Sequence, residues 1–141
     1  MAEKMDAVTL RDSLRGFSGT EAYHQLSIIP GVVATDGVKY LCENARCFWL
    51  FDVIATHLGS VKSCVRQYGE VFTNFHVWTI TKVDEGAIMQ ARVDSGEPAL
   101  ITQEFEYTTF PFDETGEFKL FVAMQPMIDR DVFVVMLPGE Y

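Results

Sequence analysis

The residues whose types could carry chemistry are few: one acid set in an apolar run, three histidines and three cysteines. The acid is Asp52, within Arg46-Cys47-Phe48-Trp49-Leu50-Phe51-Asp52-Val53-Ile54-Ala55-Thr56-His57. That run reads as a helix apolar around most of its circumference, which the rest of the chain must wrap. A carboxylate there is expensive to bury unless it is paired or hydrogen-bonded. Two readings stay open. Asp52 is either a functional carboxylate with a raised pKa in a cleft, or a structural anchor at the helix edge that holds a loop amide. Thr56 shares its face, whereas His57 lies about 140° round the helix. A same-helix Asp–His dyad is therefore not expected.

His24, His57 and His76 show no His-x-x-x-His spacing, and Cys42, Cys47 and Cys64 no Cys-x-x-Cys. Such spacings let two ligands reach one ion, so no metal and no cofactor is expected. Cysteines on helical core faces act as small hydrophobes. A nucleophilic pair of Cys64 with a histidine needs spatial adjacency and a setting that favours thiolate. The chain has no nucleophile elbow, phosphate-cradling glycine loop or dinucleotide fingerprint, so no catalytic residue is assigned. Gly31 and Gly37 read as turn residues. His76 and Trp78 share one face of a strand. They could stack a planar ligand, or they are a core tryptophan and a histidine at the sheet margin.

The elements that must position these groups follow from periodicity. Residues 1–8 read as frayed, and Leu10 and Leu14 then mark a short amphipathic helix. Residues 20–26 fit a strand or a connecting turn. Asp36 stands where an N-cap belongs, before Val38, Leu41, Cys42 and Ala45, which predicts a helix over 36–45. A second helix runs over 47–58 and stops at Gly59; the junction at 44–46 is a kink or a break. Residues 60–69 are weakly helical. From there the period changes, with strands predicted over 75–83, 87–93, 101–109 and 119–124. Turns fall at Asp84-Glu85-Gly86 and Asp94-Ser95-Gly96. Residues 132–137 form either a fifth strand or a final helical turn. Over 75–83 either face could be the inner one, since Trp78 and Ile80 oppose Phe75 and Val77, and Trp78 is favoured as inward; Glu104 and Glu106 are taken as solvent-facing. The expected fold is one α+β domain over 1–141, with N-terminal helices packed on one face of a four- to five-stranded antiparallel sheet.

Charge narrows the function classes. Acids outnumber bases 20 to 11, a net charge of −9, which argues against direct binding to nucleic acid. It allows a basic protein partner. Without a leader-like start or a long apolar run, a cytoplasmic protein with reduced thiols and no membrane contact is expected.

Four strings occur in an order that resembles a family of small bacterial proteins, also carried by phages and plasmids, described as a domain of unknown function. They are Thr35-Asp36-Gly37-Val38-Lys39-Tyr40-Leu41, Trp49-Leu50-Phe51-Asp52-Val53-Ile54-Ala55, Gln103-Glu104-Phe105-Glu106-Tyr107-Thr108 and Leu137-Pro138-Gly139-Glu140-Tyr141. The likeness covers most of residues 33–141 and departs at Cys42 and Cys47. It implies a bacterial or mobile-element origin and no activity, and it marks Asp36, Lys39, Tyr40, Trp49 and Asp52 as candidate binding residues. The expected function is a non-enzymatic module that binds, and in one version inhibits, another protein. The alternatives are a small hydrolase or small-molecule binder with Asp52, Tyr40 and a histidine round a pocket, and a homodimer formed through a free sheet edge.

Overall fold

The computed structural model describes residues 5–141, so the fraying expected of residues 1–4 lies outside the described residues. Residues 7 and 8 already belong to α1 (Ala7–Leu14), whose N-cap Asp6 accepts the Thr9 N–H. The other helices are α2 (Asp36–Asn44), α3 (Phe48–Leu58), α4 (Val61–Tyr68) and α5 (Glu70–Asn74), followed at the C-terminal end by a 3₁₀ turn at Pro138–Glu140. Thr35, not Asp36, caps α2: its hydroxyl accepts the Val38 N–H, and Asp36 is the first helical residue. The 44–46 junction is a break, with Arg46 in the left-handed region at φ 52°.

The strands are β1 (Val32–Ala34), β2 (Phe75–Val83), β3 (Gly86–Arg92), β4 (Ile101–Phe105), β5 (Glu117–Pro126) and β6 (Asp131–Met136), in the order β1-β6-β5-β2-β3-β4. The fold is α+β, but the sheet has six strands and is mixed. Its β1–β6 pair is parallel, and the other pairs are antiparallel. β1 is three residues long, too short for a period-two signal, and its pairing with Phe133–Val135 comes from far along the chain. Residues 132–137 are therefore mostly strand, and the helical turn comes after them. The unassigned segment 20–26 supplies His24, whose backbone pairs with Ala34 at 2.8 Å in both directions.

β4 ends at Phe105, short of the expected residue 109. There the chain turns so that the Thr108 N–H reaches the Glu85 carbonyl at 2.9 Å. Gly86 permits this approach, since a Cβ on it would overlap the Phe105 carbonyl oxygen.

Register places His76, Trp78 and Ile80 of β2 in line with Val122, Leu120 and Phe118 of β5, while Trp78 and Ile80 also face Ala91 and Met89 of β3. Of these, Trp78, Ile80, Ala91, Met89, Leu120 and Val122 join one hydrophobic cluster with Leu41 of α2 and Leu50, Phe51, Ile54 and Leu58 of α3. Trp78 is inward, the favoured of the two faces, although Val77 and Thr79 on the other face are buried too. α3 is not wrapped all round: Phe48, Asp52 and Thr56, four residues apart, form an exposed stripe.

Candidate functional site

The N-terminus of α2 is held by the far end of the chain. Thr35 Oγ1 donates to Glu140 Oε1 at 2.6 Å, the Gly37 N–H donates to Oε2 at 3.1 Å and the Leu137 N–H to Oε1 at 3.0 Å. Gly37 is no turn residue. It is a buried helical position where a Cβ would stand 2.6 Å from both Glu140 Oε1 and Leu137 Cδ1. The first and last of the four strings thus form one clasp, in which an anion meets the positive end of a helix. Glu140→Ala is expected to lower stability by about 2 kcal/mol, since the cap and its charge-assisted bonds go together. Gly37→Ala should act in the same direction by displacing the carboxylate, and the double variant should lose less than the sum. Urea unfolding of the three variants checks both points.

Asp36 turns the other way. Its Oδ1 lies 2.7 Å from His24 Nε2, its Oδ2 accepts the Glu21 N–H at 2.9 Å, and its own N–H donates to Thr20 Oγ1 at 2.9 Å. The His24 contact and then the Glu21 N–H hold its carboxyl below the ordinary range. The pair has the make-up of an acid–base dyad, yet among the described residues no hydroxyl or thiol hydrogen-bonds His24. Tyr40 packs on Phe17 with ring centroids 5.4 Å apart. The Lys39 side chain makes no ion pair or hydrogen bond among the described residues.

Trp49 and Asp52 sit on α3. Trp49 meets Phe105 edge-on at 5.3 Å, and His57 Nε2 lies 2.6 Å from Gln103 Oε1. The second and third strings therefore also meet, fastening α3 to β4. Beside them a cavity of about 330 Å³ is lined by Trp49, Phe105, Tyr107, Thr108 and Thr109, with Tyr107 69% exposed. Asp52 is exposed, and its side chain makes no hydrogen bond among the described residues. The five candidate positions thus form no single cluster. Asp36 belongs with His24, Tyr40 with Phe17, and Trp49 with β4.

Sequence reasoning missed the His24–Asp36 contact, the capping role of Glu140 and the hydrogen bond between His76 and Trp78 in the core. His76 is no marginal residue. It is wholly buried, its Nδ1 lies 2.9 Å from the Phe72 carbonyl, and its Nε2 accepts the Trp78 indole N–H at 2.9 Å. That fixes a neutral ring with the proton on Nδ1. Its stacking on Phe72 at 3.9 Å leaves no room for a planar ligand there. All three cysteines are buried and free. Cys47 and burial push the Cys42 thiol up, burial does the same to Cys64, and Thr73 Oγ1 covers the Cys64 sulfur at 3.3 Å. Raised thiols of this kind are poor nucleophiles. Among the described residues no group of three His, Cys, Asp or Glu is placed to share a metal ion, and no helix is long and apolar enough to cross a membrane.

Fold and site together define an α+β protein with a six-stranded mixed sheet, clasped at α2 and carrying an aromatic cavity at the α3–β4 seam. Residues 8–141 match the family of unknown function DUF6876, and the chain belongs to that family. No curated protein and no solved structure was found to match it.

Proposed function

We propose that the chain is a non-enzymatic, cytoplasmic binding module of bacterial or mobile-element origin that engages, and thereby inhibits, another protein. In this reading the helices cover one face of the sheet, and the α3–β4 seam is the working surface. The observation that carries it is the aromatic cavity at Trp49, Phe105 and Tyr107, where α3 is fastened to β4 and the chain that follows it. Trp49 is half-buried and Tyr107 exposed, and tryptophan and tyrosine held on a rigid support are among the residues that dominate binding energy at interfaces.

A second reading, a small hydrolase or small-molecule binder, draws on the 2.7 Å His24–Asp36 contact in place of Asp52. The two readings separate in one experiment, cross-linked capture of partners from a bacterial lysate with wild type, Trp49→Ala and His24→Ala. The binding reading expects recovery of a specific protein to fall at least about tenfold in Trp49→Ala, the scale of a hot-spot side chain, and to hold in His24→Ala. Recovery indifferent to Trp49, together with ester or phosphoester turnover abolished by His24→Ala, would establish the enzyme instead.

A further inference from the structure

We infer that β4 is a docking edge for an extended, lysine- or arginine-rich segment of a partner protein, which joins the sheet as an added strand and lays a cationic side chain on the Trp49 cavity. The inference deepens the binding reading above and rests on it. Three observations on the two ends of the sheet carry it.

First, the sheet ends differently on its two sides. β1 is covered on its outer side by the His24 bridge. Among the described residues no backbone hydrogen bond joins Ile101–Phe105 to anything except β3. An uncovered strand is a template for another strand, through main-chain bonds that need no particular sequence.

Second, the edge is held in place before anything binds. Ile101 is anchored in the core, Gln103 by His57 and Phe105 by Trp49. A strand already fixed loses little conformational freedom on pairing.

Third, the charge at this edge selects the occupant. Glu104 and Glu106 alternate with Phe105 and Tyr107 and are exposed, and exposed Asp52 lies one turn along α3 from Trp49. Acids on an edge discourage pairing with a like strand. A second copy of this chain, at net charge −9, would bring acids to acids. A basic segment neutralises Glu104 and Glu106 with cations on one face of the added strand, and a long apolar stem with a cationic end on its other face suits the aromatic wall at Phe105 and Trp49.

The test is NMR titration of the whole chain with a synthetic peptide of about eight residues, long enough to span a typical strand, with lysines at both odd and even positions and valines between them, so that each face of the added strand carries a cation. Two control peptides are the glutamate-for-lysine version and one N-methylated on its strand-facing amides. Saturable shifts are expected on the amides of residues 101–107 and on the Trp49 indole, with a Kd on the order of 10–100 μM. N-methylation should weaken binding at least about tenfold, because the main-chain bonds are lost. The variant Glu104→Lys/Glu106→Lys, its melting temperature checked against wild type, should weaken the lysine peptide by a similar factor and bind the glutamate peptide instead. Shifts centred elsewhere, equal affinity for the N-methylated peptide, or no saturation up to about 1 mM would overturn the inference, as would dimerisation of the chain alone through β4. If partner capture nevertheless depends on Trp49, the binding reading survives and strand addition is wrong; if capture also fails, both are wrong.

Discussion

Trp78→Ala is expected to lower the folding free energy by about 4 kcal/mol, a large share of the 5–15 kcal/mol available to a domain of this kind. The side chain is 0% exposed, lies between Leu120 and Ala91 in register, and belongs to the cluster that joins sheet and helices. Truncation removes its transfer free energy and leaves a cavity that close-packed neighbours fill only in part. It also strips His76 Nε2 of its donor, leaving a buried acceptor unpaired. Trp78→Phe separates the two effects. It keeps most of the ring volume and loses the indole N–H, for an expected loss of about 1–2 kcal/mol. Urea unfolding followed by circular dichroism is the measurement, because the tryptophan change alters fluorescence in any case. A loss below about 1 kcal/mol for Trp78→Ala would contradict the burial.

How legible each part of the molecule is depends on how local its cause is. β2 spans the expected Phe75–Val83, because a run of β-branched and aromatic residues and the Asp84-Glu85 turn are written in neighbouring residues. β1 and α5 leave no such trace. The first exists only against β6, and the second is five residues long at the foot of β2. α3 misleads for a different reason. Its exposed stripe begins with Phe48, 42% exposed, so the side facing water carries an aromatic, and the helix looks buried all round.

The candidate site divides in the same way. Asp36 stands out from its place before an amphipathic helix, but the His24 it meets is brought by an isolated bridge with no local signature. Thr35 and Glu140 are 105 positions apart. Their one local clue is Gly37, a glycine inside a helix where alanine would be the better helix former. The four strings singled out in the sequence are the better guide. They pair off as first with last and second with third, so what reads as four scattered motifs is two contacts.

The second large effect is a loss of stability on acidification that is confined to a defined window. Burial pushes the His76 imidazole down to about 4, from an ordinary 6.5, and the Phe72 carbonyl offsets only part of that. Above pH 6.5 the ring is neutral in both folded and unfolded chains, and its contribution is complete. Between 6.5 and 4 the unfolded chain takes up a proton that the native state refuses, so stability falls as pH is lowered. Below 4 both states are protonated at this site and the effect levels off. The shift corresponds to about 3 kcal/mol at 1.36 kcal/mol per pH unit. The carboxylates with lowered values, Asp6, Asp36 and Asp113, work in a different range. Their contribution is present above their ordinary 3.8 and disappears only as pH drops below it. Urea unfolding at half-unit steps should therefore show a slope between pH 6.5 and 4 in wild type. That slope should be flattened in His76→Gln, whatever the overall stability of the variant. A protonated His76 would present a second N–H to the indole N–H of Trp78, so the wild-type transition should also shift Trp78 emission. An unchanged slope in His76→Gln would assign the acid sensitivity to other groups and remove His76 as its cause.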